Sequence, residues 1–177
     1  AIHADPAKTI FSGNPVRSEI AQIDLPQQRF YGREGRLNIL VIGGSLGAQV
    51  LNTVVPEALK SMAEQHRPFI VHQVGDRHLD TARQRYADLQ VRGEVLAFIE
   101  NMAERYAACD LVLCRAGALT IAELSAAGVA SILVPYPHAV DDHQTSNALF
   151  LARAGAAILV PQQEFTAQKL TELLTHL

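Results

Sequence analysis

Cys114-Arg-Ala-Gly-Ala-Leu-Thr-Ile-Ala-Glu123 is the stretch of this chain with the most chemical potential. It follows an apolar run, Asp110-Leu-Val-Leu-Cys114, and opens a helical pattern. A strand that ends in small residues before a helix start presents free backbone N–H groups and the positive helix end. Both suit an anion such as a phosphate. Glu123 lies one turn into that helix, where a carboxylate can accept hydrogen bonds from sugar hydroxyls. Phosphate and sugar together make a sugar nucleotide the ligand this stretch predicts. A local alternative stands beside it. Thr120-Ile-Ala-Glu123 fits a capping box, in which Glu123 only reaches back to the Thr120 N–H, worth on the order of 1 kcal/mol. The start of the helix separates the two: a helix that begins at about Ala118 leaves Thr120 inside it and favours the ligand.

A second glycine-bearing stretch is Gly43-Gly-Ser-Leu-Gly-Ala48. It allows close backbone approach and a helix start. It is not a Walker A loop, because no Gly-Lys-Ser/Thr follows. It also lacks the G-x-G-x-x-G spacing of a dinucleotide fingerprint, and the acid that such a site wants near the end of the second strand is met only by Asp76, beyond Gly75. Ser45 is either a phosphate contact or a plain helix cap.

Pro135–Asn147 reads as a long loop entering a helix at the same sheet edge. Gln144 and Asn147 sit three apart on one helical face. Their amides can donate and accept, as sugar hydroxyls require, although a solvated helix start explains them equally. His138 and His143, with Asp141 and Asp142, lack the helical spacing of a zinc motif and are not read as metal ligands. Arg17 in Gly13-Asn-Pro-Val-Arg17 has the forked guanidinium that pairs with a diphosphate, or is a surface arginine. No Ser-His-Asp or Cys-His arrangement has local support, His72 has no convincing partner, and no carboxylate pair marks a glycosidase. No catalytic residue is assigned within the chain.

The elements that would position these residues follow from the pattern. The 177 residues suffice for one domain with a full core, and 49% hydrophobic with 19% charged is ordinary for a globular protein. A formal charge of −3 gives no global bias towards nucleic acid. No apolar run approaches the roughly 20 residues of a membrane span. Cys109 and Cys114 lack C-x-x-C spacing and read as reduced, buried thiols of a cytosolic protein. Residues 1–36 read as an irregular lead-in segment or linker, punctuated by Pro15, Pro26, Gly32 and Gly35. Strands are predicted at 37–42, 69–74, 95–99, 110–114, 131–134 and 157–160. Helices are predicted at 48–62 (kinked at Pro56), 79–90, 101–109, 119–127, 142–154 and 166–176. Six strands alternating with six helices imply an α/β, doubly wound, six-stranded parallel sheet of Rossmann-like type. In the order 3-2-1-4-5-6 the first and fourth strands meet at the topological switch point. The loops that leave them are Gly43–Gly47 and Arg115–Thr120, the two chosen on chemistry alone.

Gly13–Arg17, Gly43–Ala48, Cys114–Glu123 and Asp141-Asp-His-Gln-Thr-Ser-Asn-Ala148, in this order and spacing, resemble the MurG family. These are the UDP-N-acetylglucosamine transferases that make lipid II in bacterial cell-wall synthesis. The resemblance runs from about residue 8 to the end. It implies a two-domain GT-B fold, of which residues 37–177 would be the C-terminal, UDP-sugar-binding domain without its closing helix. It implies that Arg17 lies at the domain junction near the donor and that Ser45 contacts the diphosphate. The Ile99 backbone would read the uracil. Ala118, Leu119 and Thr120 would line the diphosphate and ribose, Glu123 would hold the ribose hydroxyls, and Gln144 and Asn147 would contact the N-acetylglucosamine. The Pro137–His143 loop is a residue longer than in some relatives. The implied partners are UDP-N-acetylglucosamine, a lipid I acceptor held by the family's N-terminal domain, and the cytoplasmic face of the inner membrane as a peripheral contact. Nucleic acid is not implied, and no cofactor or metal is required, since backbone N–H groups and a helix end would stabilise the leaving UDP. The fragment alone would bind donor without turnover. Other classes remain: a donor-binding subunit of another UDP-sugar glycolipid transferase, a non-catalytic nucleotide-binding module and, more weakly, an NAD-dependent oxidoreductase.

Overall fold

The computed structural model describes residues 13–44 and 48–176. Six strands form one parallel sheet: β1 (Asn38–Ile42), β2 (Phe69–Gln73), β3 (Glu94–Leu96), β4 (Leu111–Cys114), β5 (Ala130–Leu133) and β6 (Ala157–Leu159). Their order is β3-β2-β1-β4-β5-β6, as expected from the strand-helix alternation. Strand residues alternate between faces. Ile39, Val41, Leu111 and Leu113 point into one core layer, and Leu40, Val112 and Cys114 into the other.

The first layer is closed by α3 (Gln49–Ser61), α4 (Leu79–Asp88) and α8 (Ala167–Thr175), which bury Leu51, Val55, Leu59, Tyr86 and Leu170. Helix α3 continues through Pro56. The second layer is closed by α5 (Met102–Ala108), α6 (Ala118–Ala127) and α7 (His143–Arg153), with Tyr106, Leu124 and Leu151 inward.

The lead-in segment departs from its irregular reading. Two short helices, α1 (Ser18–Ala21) and α2 (Pro26–Arg29), dock onto the second layer. Ile20 is fully buried there. Arg29 donates to the carbonyls of Tyr106 and Ala127 at 3.1 and 2.6 Å. Helix α6 ends at Gly128, whose φ of 60° is left-handed, and a Cβ there would stand 2.8 Å from Pro26 Cγ. Glycine therefore lets the lead-in segment lie against the end of α6. Helices of a single turn carry no periodic signal, which is why the sequence pattern misses them.

Cys109 follows α5 and Cys114 ends β4; both are free and buried, and burial pushes each thiol up to about 12. His72 does have a partner. Its Nδ1 lies 3.0 Å from the Tyr86 hydroxyl, a contact between β2 and α4 that spacing along the chain does not announce. Burial lowers the imidazole to about 3, so it is neutral at neutral pH.

Candidate functional site

Register brings the two glycine-bearing loops together. Ile42 pairs with Cys114, so the chain leaves β1 and β4 at the same level, at the switch point of the sheet. The loop after β1 opens with Gly43 and Gly44. Gly44 has φ 82° and its carbonyl accepts from the buried Gln73 amide at 3.1 Å. Ser45, Leu46 and Gly47, and with them the expected Ser45 contact, lie outside the described residues. The loop after β4 is Arg115-Ala116-Gly117, and α6 begins at Ala118 with Gly117 as its N-cap.

That start settles the capping question. Thr120 is the third helical residue, and the helix has no side-chain cap. The N–H groups of Ala118, Leu119 and Thr120 have no acceptor within the helix and point out of its positive end. Ala118 and Leu119 are exposed and Thr120 is half-buried. Thr120 and Gly117 line an open cleft of about 970 Å³, together with Gly43, Gly44, Ala48 and the first turns of α3.

Glu123 faces away from Thr120's backbone towards the lead-in segment. Its Oε1 accepts from Arg17 Nε at 3.2 Å and Nη2 at 3.0 Å. Its Oε2 accepts from the Tyr106 hydroxyl at 3.2 Å. The structure thus brings Arg17 and Glu123 together. Burial first, and then the charge of Glu123, push the Tyr106 phenol well above its ordinary range. Arg17 also borders a second concavity with Ile20, Glu100 and Met102. Ile99, buried in the middle of the loop between β3 and α5, immediately precedes Glu100 in the chain.

Gln144 and Asn147 are committed to backbone. Gln144 Oε1 accepts from the N–H of Ala116 at 3.3 Å and of Tyr136 at 2.9 Å. Asn147 Nδ2 donates to the Ala116 carbonyl at 3.0 Å. Helix α7 thereby holds the loops that follow β4 and β5. Just ahead of it, Asp141 and Asp142 have φ of 52° and 50°, a left-handed pair of non-glycine residues in the long loop.

Several cleft residues were not singled out from sequence. Arg115 donates to the carbonyls of Val134 and Pro135, both at 3.1 Å, and to Gln162 Oε1 at 2.6 Å. Its guanidinium lies 5.4 Å from the centre of the Tyr136 ring, which His138 meets edge-on. Arg115 stands inside the motif quoted for the loop, so its place was legible there, though its partners in the segments that follow β5 and β6 were not. Tyr106 and Gln73 carry no motif and join the site only through packing. Among the described residues, no three His, Cys, Asp or Glu side chains cluster as a metal site would need.

Comparison with known proteins adds to this geometry. Residues 38–177 match the glycosyltransferase family 28 C-terminal domain. The UDP-N-acetylglucosamine--N-acetylmuramyl-(pentapeptide) pyrophosphoryl-undecaprenol N-acetylglucosamine transferase of Nitrosospira multiformis is 59% identical over 167 residues, covering 94% of this chain and 47% of that protein. The same-named protein of Nitrosomonas europaea is 61% identical with the same coverage. The crystal structure of Acinetobacter baumannii MurG superposes with a TM-score of 0.81 at 43% identity, covering 89% of this chain and 45% of that one. The chain spans about half the length of the relatives it matches.

Proposed function

The chain belongs to the glycosyltransferase family 28 C-terminal domain family, and from that premise we propose that it is the UDP-N-acetylglucosamine-binding half of the transferase that converts lipid I to lipid II. One observation carries this reading: the uncapped start of α6 opens onto the cleft at the switch point, with the Glu123 carboxylate one turn behind it. In this reading the diphosphate lies between the Gly43–Ala48 loop, Ser45 included, and the N–H groups of Ala118, Leu119 and Thr120. The ribose hydroxyls donate to Glu123, and the uracil meets the backbone at Ile99. Arg17 is near enough to Glu123 to share the nucleotide's diphosphate side. Gln144 and Asn147 border the N-acetylglucosamine by holding the loops around it.

In the full reaction, the 4-hydroxyl oxygen of the acceptor sugar bonds to the anomeric carbon as the bond from that carbon to the diphosphate oxygen breaks. The electron pair leaves with UDP, and the acceptor's proton passes to a base outside this domain. The anomeric centre is inverted. This chain contributes donor binding and stabilises the charge that develops on the leaving diphosphate through fixed backbone N–H groups. The acceptor, the general base and the contact with the cytoplasmic face of the membrane belong to the other half of such an enzyme. Among the described residues no helix is long and apolar enough to cross a membrane.

Calorimetric titration of the chain with UDP-N-acetylglucosamine, UDP-glucose and NAD tests the reading. UDP-N-acetylglucosamine is expected to bind more tightly than UDP-glucose, and NAD not at all. Binding of NAD without UDP-N-acetylglucosamine contradicts the reading, and a preference for UDP-glucose moves it to another glycolipid transferase.

A further inference from the structure

Resting on the reading of Glu123 as the ribose ligand, we propose that Tyr106 is a positioning residue for nucleotide recognition, its hydroxyl holding the Glu123 carboxylate in the orientation that the ribose meets. Tyr106 projects from α5 into the core layer shared with Ile20 and Leu124, and only 1% of its surface is exposed. From there its hydroxyl donates to Glu123 Oε2 at 3.2 Å. A ring so enclosed cannot swing with the carboxylate; it sets where that oxygen sits.

The lone pairs divide accordingly. A carboxylate offers roughly four acceptor positions. Arg17 takes two on Oε1 through Nε and Nη2, and Tyr106 takes one on Oε2. The position left open is on the oxygen that Tyr106 fixes. A vicinal diol needs two acceptor positions. The second is supplied when Arg17, whose side chain is 49% exposed, gives up one of its bonds. Tyr106 is thus the permanent partner and Arg17 the exchangeable one. Since Tyr106 stays protonated at all working pH values, it remains a donor to Glu123 throughout.

The Tyr106→Phe chain, which keeps the buried ring and loses only the hydroxyl, is titrated with UDP and with 2′,3′-dideoxy-UDP. In the parent chain UDP binds more tightly than the dideoxy compound. In Tyr106→Phe, UDP is expected to bind about fivefold more weakly, while the dideoxy compound changes by less than about twofold. On a Glu123→Ala background, Tyr106→Phe is expected to change UDP binding no further. Equal weakening of both nucleotides marks a structural role and overturns the proposal, as does unchanged UDP affinity. If the parent chain binds UDP and its dideoxy form alike, Glu123 does not hold the ribose and the proposal falls while the UDP site stands. If the parent binds neither, the functional reading itself fails.

Discussion

Arg17 and Glu123 lie 106 residues apart in the chain, yet two hydrogen bonds of 3.2 and 3.0 Å run from the guanidinium to one carboxylate oxygen. The pair ties the lead-in segment to α6 at the end of the sheet where the cleft opens. It joins two functional candidates that lie far apart in the sequence. It also replaces the capping role otherwise available to Glu123.

Replacing Glu123 separates ligand binding from structure. Glu123→Ala is expected to weaken UDP binding by about tenfold. It also leaves the buried Tyr106 hydroxyl without its acceptor, at a cost of about 1–3 kcal/mol in stability. Arg17→Ala, by contrast, removes a half-exposed pair and is expected to change stability by less than about 1 kcal/mol. Calorimetry and thermal denaturation of both variants check this. A Glu123→Ala chain that melts earlier but binds UDP normally would make the residue purely structural.

The two amides on α7 have opposite requirements. Gln144 accepts from two backbone N–H groups through Oε1, and Asn147 donates to a backbone carbonyl through Nδ2. Gln144→Glu keeps the acceptor and is expected to fold with near-parental stability. Asn147→Asp sets a carboxylate against the Ala116 carbonyl and is expected to lose about 1–3 kcal/mol. Urea unfolding of the two variants at neutral pH compares them, and the reverse ranking would contradict the assigned roles.

His72 makes stability depend on pH. Its folded value of about 3 lies below the ordinary 6.5, so below 6.5 the unfolded chain takes up a proton that the folded chain refuses. Stability contributed by the neutral imidazole is therefore complete above 6.5 and falls, by about 1.4 kcal/mol per pH unit from this group, as pH drops towards the folded value. The double variant His72→Leu/Tyr86→Phe is expected to flatten this dependence between pH 6.5 and about 4.5. Unfolding free energies measured across that range provide the check, and equal slopes in both chains would contradict it.

The sheet was legible because its strands are short apolar runs bounded by breakers, and the alternation with helices left one usual order for them. The positions of the two glycine-bearing loops followed from that order. Helices α1 and α2 were not legible, since a single turn shows no period and their stability comes from Ile20 and Arg29 meeting distant elements. Gln144 and Asn147 were recognisable as polar residues on one face. Sequence could not say whether their partners were solvent, sugar or the Ala116 and Tyr136 backbone. Tyr106 had no signal at all: the strand β4 separates its helix from Glu123 in the chain, and only the tertiary fold brings the hydroxyl on α5 to the carboxylate on α6.

The most direct measurement is a crystal structure of this chain with UDP-N-acetylglucosamine bound. The expected result places the diphosphate at the N–H groups of Ala118 to Thr120, the ribose hydroxyls within hydrogen-bonding distance of Glu123, and the uracil against the backbone at Ile99. A nucleotide seated elsewhere, or one in this cleft with its ribose turned away from Glu123, would contradict the assignment.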